Sequence, residues 1–167
     1  MIHCSATPEG RYYDMRDILK WHTSPVSEGG RGWTKPGYAD IVLLDGTVQN
    51  LVPYDGNDYV DGWEISNGAS GWNGHTRHIC YIGGTDLRGK AVDTRTMAQR
   101  RVLEIYVKLS LRFLPKLKLI GHNQVATKGC PSFDVRKWAK EIGIKDENID
   151  FNNYVGNSFI GDYDGKS

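Results

Sequence analysis

Apolar positions along the chain form short runs and helically spaced sets, and together they predict strands alternating with helices. Met1-Ile2 leads into His3, which leaves room for only a stubby first strand against the usual length of about five or six residues. Asp14 can cap a helix through Met15, Ile18, Leu19 and Trp21, whose spacing of three and four marks one face, with His22 at its end. Thr23 to Gly37 is rich in Ser, Gly and Pro and reads as a loop. Tyr38 opens the continuous apolar run Ile41 to Leu44, a buried strand, and Asp45-Gly46 turns the chain back into a partner strand over Thr47 to Val52. Pro53 to Gly74 lacks periodicity and is expected to be a long surface excursion of the kind that carries binding groups.

Ile79 to Ile82, closed by Gly83-Gly84, is another buried strand. Thr94 or Thr96 then starts the most regular helix, with Met97, Val102, Ile105, Tyr106, Leu109 and Phe113 as its apolar face and Pro115 as its stop. Lys116 to Ile120 reads as a strand leading to His122. Asp134 caps a last helix through Val135, Trp138 and Ile142 that ends at Gly143. A hairpin combined with helices between strands implies an α/β layer arrangement. Residues 1–144 are expected to make one domain, followed over 145–167 by a polar tail whose Phe151, Tyr154, Phe159 and Tyr163 can pin it to the body.

At 167 residues the length suits a single core. Charge is nearly balanced, 21 Lys and Arg against 20 Asp and Glu, so no global field draws the protein to nucleic acid or to an acidic membrane. A polymer substrate would have to be recognised in a local groove, by a protein expected to be a monomer. No apolar run approaches the roughly 18 residues of a membrane span. The N-terminus shows no basic region followed by an apolar core, so export by a secretory signal is not supported and the compartment stays open. Three cysteines, an odd number, argue against a disulfide framework, although a Cys4–Cys80 bridge is left open.

Candidate chemistry concentrates in Leu119 to Asp134, LIGHNQVATKGCPSFD. His122 follows the apolar run and Cys130 lies eight residues on, where Pro131 biases it toward an extended backbone. Imidazole and thiolate are a pair that zinc accepts, and a catalytic zinc takes three protein ligands with a fourth position open. His3, in MIHCSAT, is the candidate for the third. A Cys–His nucleophile pair is not excluded by spacing, whereas GxSxG, P-loop and GxGxxG motifs are all missing.

HCSAT near the start, GY ahead of an apolar strand that ends in DGT, and GH followed by KGCPSFD resemble the zinc-dependent N-acetylmuramoyl-L-alanine amidases of the phage-endolysin and peptidoglycan-recognition type. The similarity runs from about His3 to Trp138. It implies a mixed sheet with helices on both faces, Zn2+ on His3, His122 and Cys130, catalytic roles for Tyr38 and Lys128, and peptidoglycan or its muropeptides as substrate. It also places Trp72, Asn73 and His75, within GWNGHT, near the substrate groove. Two departures stand out. Many relatives carry a histidine after the GY pair, where this chain has Ala39, and a histidine before the alanine ahead of a GYN-like stretch, where it has Gly68. The alternative to an amidase is a module that binds peptidoglycan without cutting it.

Overall fold

His3 sits in the middle of β1 (Ile2–Cys4), and the two-residue period of a strand sends its side chain to the face opposite Ile2 and Cys4. In the computed structural model, which describes residues 1–155, β1 pairs in parallel with β5 (Ile79–Tyr81), His3 standing beside Cys80. The strand β3 (Asp40–Val42) lies parallel to β5 on its other side and antiparallel to β4 (Val48–Asn50). The four-stranded order is therefore β1-β5-β3-β4. The hairpin turns where the sequence places it: Gly46 takes φ +87°, a backbone region open to glycine, and Asp45 accepts from the Thr47 amide at 2.8 Å. A two-stranded parallel extension, β2 (Thr7–Pro8) with β6 (Gly84–Thr85), prolongs the β1 and β5 directions.

Helices cover both faces of this mixed sheet. Helix α1 (Met15–Thr23) begins at Asp14, whose side chain accepts from the Arg16 amide while Asp17 reaches back to the Asp14 amide. It packs Ile18 against Ile41, Leu43, Cys80 and Ile82. On the opposite face, α2 (Met97–Phe113) and α3 (Val135–Glu141) contribute Leu103, Val107, Val135, Trp138 and Ala139 to a core shared with Ile2, Cys4, Val42, Ile79 and Tyr81. Thr96, rather than Thr94, caps α2, and Asp134 caps α3.

Two expectations are corrected. In α2 the buried line is Gln99, Leu103 and Val107, while Met97, Ile105, Leu109 and Phe113 of the expected face are exposed. A polar residue causes the mismatch. The Gln99 amide donates to the Val42 and Ile82 carbonyls at 3.1 and 2.9 Å, which turns a polar position into the core-facing one. Lys116 to Ile120, expected as a strand, makes only isolated bridges, Leu119 to Ile149 and, just beyond, Ile2 to Gly121. Its backbone is bonded elsewhere: the Asn148 side chain donates to the Pro115 and Leu117 carbonyls, and Leu119 donates to the Asn148 carbonyl at 2.8 Å.

The chain beyond Lys145 runs back over the body as far as described. Ile149 enters the main core, and the Gln124 amide donates to the Asp150 and Asn152 carbonyls. Phe159 and Tyr163, the other aromatics expected to pin the tail, lie outside the described residues. The 53–72 excursion has no strand or helix; the buried Glu64 carboxylate organises it by accepting from the Asp55 and Asp61 amides at 2.7 and 2.9 Å. Among the described residues no helix is long and apolar enough to cross a membrane.

Candidate active site

Three segments bring His3, His122 and Cys130 together. β1 presents His3. Past the bridge to Ile2, Gly121 opens a 3₁₀ turn (His122–Gln124) that presents His122, and the buried Gln124 side chain fixes this turn by accepting from the Gly121 amide at 2.9 Å. The Cys130 loop, with a cis bond to Pro131, is pinned from three sides. Tyr81 donates to the Pro131 carbonyl at 2.7 Å, Ser132 donates to the Gly84 carbonyl at 2.7 Å, and the Asn123 amide donates to the Phe133 carbonyl at 3.3 Å.

His3 Nδ1 lies 3.1 Å from His122 Nδ1 and 3.6 Å from Cys130 Sγ, and one donor atom from each residue falls within 4.8 Å of the others. A tetrahedral zinc with nitrogen at about 2.0–2.1 Å and sulfur at about 2.3 Å sets such atoms about 3.3–3.6 Å apart, so the donor set and the two spacings from His3 suit that ion. The electrostatics agree. Burial holds His3 well below the usual imidazole range, and burial with the Lys128 charge brings His122 down to about 4, so both rings keep a free lone pair at neutral pH. Burial pushes the Cys130 thiol up. Without a cation beside it, Cys130 is a poor nucleophile, which disfavours it as the thiol of the Cys–His pair left open by spacing.

Beside the cluster opens a cleft of about 640 Å³ lined by Tyr38, Asn73, His122 and Lys128, with His22, Arg31 and Trp33 on its far wall. Its lining includes two basic side chains, Arg31 and Lys128, and no carboxylate. Tyr38 lies against His3, with ring centroids 5.3 Å apart, and burial raises its hydroxyl well above the ordinary phenol range. It therefore stays protonated and can donate. The GY pair is positioned from α1: His22 Nδ1 accepts from the Gly37 amide at 3.0 Å, and a Cβ at position 37 would meet the His22 ring at 3.0 Å.

Of the three residues placed near the groove by resemblance, Asn73 lines this cleft and accepts from the Ala69 amide at 2.9 Å. Trp72 and His75 line a separate, more apolar cleft of about 880 Å³ that runs along α2, and the two cavities share no lining residue. Trp72 is sandwiched between His75 and Tyr154 at centroid distances of 5.4 and 4.9 Å. From the sequence alone no site role falls to His22 or to His78, which is fully buried beside His3, and neither Arg31 nor Trp33 is singled out. The available signal for His78 was its position two residues before Cys80, which puts it on the same sheet face as the His3 neighbour.

A mixed sheet clad by helices on both sides, with a His–His–Cys cluster beside an open cleft, is the arrangement of the amidase and peptidoglycan-recognition class. Solved structures share the architecture. The Ph2119 endolysin of a Thermus scotoductus bacteriophage superposes with a TM-score of 0.63 at 23% identity, over 86% of this chain and 82% of that one. The N-acetylmuramoyl-L-alanine amidase LysC of Clostridium intestinale gives 0.61 at 18% identity, over 86% and 83%. No protein-family model matches the chain. The endolysin of Escherichia phage T7 is 33% identical over 137 residues, 82% of each chain. The chain belongs to the phage endolysin family of the N-acetylmuramoyl-L-alanine amidase and peptidoglycan-recognition type.

Proposed function

We propose that this endolysin is a zinc amidase that cleaves the amide between the lactyl group of N-acetylmuramic acid and L-alanine in peptidoglycan. The observation that carries the reading is the convergence of one ligand atom each from His3, His122 and Cys130 within 4.8 Å of one another, beside an open cleft that His122, Tyr38 and Lys128 line. Relatives named as endolysins, and a fold neighbour named as an N-acetylmuramoyl-L-alanine amidase, support the substrate and the bond.

When bound there, zinc brings the pKa of a coordinated water toward neutrality and polarises a carbonyl. The chain supplies the rest. His3 and His122 are held neutral by burial, and the Cys4 amide donates to Cys130 Sγ at 3.2 Å, which favours the thiolate. Tyr38 offers a protonated hydroxyl and Lys128 an ammonium at the mouth of the cluster, two donors for the oxygen on which negative charge develops. Arg31 and Lys128 give the cleft a field that suits the free carboxylates of a stem peptide, and the Asn73 amide borders the same space.

The test is Cys130→Ser. This variant should lose stoichiometric zinc and release no muropeptides from purified wall. Undiminished release would reject the mechanism, and wild-type protein that binds muropeptides without zinc and without cutting them would identify a binding module instead.

A further inference from the structure

His3 turns Nδ1 toward His122 and Cys130, so its other ring nitrogen must carry the proton whenever Nδ1 serves as a ligand. That second nitrogen, Nε2, lies 2.9 Å from His78 Nδ1. His78 is fully buried and its remaining nitrogen, Nε2, has no hydrogen-bond partner. The room for it is made by Gly68: a Cβ at that position would collide with the His78 ring and come within 2.8 Å of the Gly37 carbonyl. A bulky polar ring has thus been fitted against a glycine, with one nitrogen left unsatisfied, and its only hydrogen bond among the described residues is to the metal-cluster histidine.

We propose that His78 is a positioning residue for the metal centre: its Nδ1 accepts the proton on His3 Nε2, which fixes His3 in the tautomer and ring orientation that aims Nδ1 at the ion. This rests on the zinc reading above. A backbone or carboxylate acceptor commonly plays this part for ligand histidines; here a second, neutral imidazole does so, and its own proton must then sit on Nε2.

Zinc affinity, read by competition with a chromophoric chelator, separates the possibilities. His78→Leu, which keeps bulk and removes the acceptor, should weaken zinc binding about 10- to 100-fold. His78→Asn, whose Oδ1 takes the place of Nδ1, should restore affinity to within about threefold of wild type, on the same principle that the acceptor and not the ring matters. Leu103→Ala, a buried change in the α2 core on the opposite face of the sheet, should leave affinity unchanged even where it lowers the melting temperature. Nitrogen-15 spectra of zinc-loaded wild type should show His3 with its proton on Nε2, slow to exchange, and His78 with its proton on Nε2. Equal affinity in His78→Leu, or a His78 proton on Nδ1 in the zinc-loaded protein, would overturn the proposal while leaving the zinc reading intact. Wild type that takes up no zinc would overturn both.

Discussion

Removing one oxygen from Tyr38 is the sharpest probe of how the cleft works. In Tyr38→Phe the ring keeps its packing against His3 and the α1 side of the core, so only the hydroxyl is lost. Among the described residues that hydroxyl makes a long contact, 3.4 Å to the Cys4 carbonyl, near the limit of a useful hydrogen bond, and touches the Cys80 thiol, itself a weak hydrogen-bonding partner. Loss of so weak a bond should cost less than about 1 kcal/mol, a melting-temperature change below about 4 °C for a protein of this size. If the hydroxyl donates to the developing oxyanion, the turnover loss is far larger: removal of one such donor costs about 2.7–4 kcal/mol, or about 10²- to 10³-fold in kcat. Release of soluble muropeptides from purified peptidoglycan, measured at saturating substrate with thermal denaturation and zinc content determined on the same samples, reads all three quantities. The reasoning predicts a stable, zinc-replete, slow enzyme. A variant with near-normal kcat, or one whose lost activity is matched by lost zinc, would refute the assignment of Tyr38 as an oxyanion donor.

Further outcomes follow from the packing around the site. Gln99→Met leaves the Ile82 carbonyl without its donor while the Val42 carbonyl keeps the Ile82 amide, so chemical denaturation should show a loss of about 1–3 kcal/mol; a loss below about 0.5 kcal/mol, under the scale of that same principle, would contradict the bridging role. Tyr81→Phe removes the buried donor to the Pro131 carbonyl and should lower both stability, by about 1–3 kcal/mol, and zinc affinity, because Cys130 is the next residue; unchanged affinity would show that the loop is held without it. Burial lowers His22 to about 4 from an ordinary 6.5. The unfolded chain therefore takes up the proton first as pH falls, and the stability contributed by neutral His22 is present above 6.5 and lost on the way down to about 4. Melting temperatures of metal-free protein should drop across that window, and His22→Asn, which retains an acceptor for the Gly37 amide, should flatten the slope by up to one proton; an identical slope would place the titration elsewhere.

What the sequence made legible follows from which interactions are local. The Asp14 cap, the Asp45-Gly46 turn and the Asp134 cap are decided by neighbouring residues, and all three lie where the pattern puts them. The buried line of α2 was not legible, because Gln99 faces inward to serve two strand carbonyls contributed from 57 and 17 positions away. Residues 116–120 misled for a similar reason: the acceptors and donors that occupy their backbone come from Asn148 and its neighbours, long after them in sequence. At the site, His3, His122 and Cys130 lie together, and Tyr38, His122 and Lys128 line the cleft beside them. The partners that hold them could not be read the same way. His22 and His78 act through register and through missing side chains at Gly37 and Gly68, and a glycine in a polar loop says nothing about the ring that fills its space. The departure at Gly68 from the histidine carried by many relatives has a plain steric reason in this chain, since His78 occupies the volume.

The central claim concerns one ion and one bond, and a single digestion addresses both. Wild-type protein, assayed for metal and then incubated with purified peptidoglycan whose products are sequenced by mass spectrometry, should carry one zinc per chain and liberate peptides that begin at a free L-alanine amino group, with the lactyl carboxylate left on intact glycan. Products ending in new reducing sugars or cut within the peptide stem, or full activity in protein that holds no metal, would contradict the account.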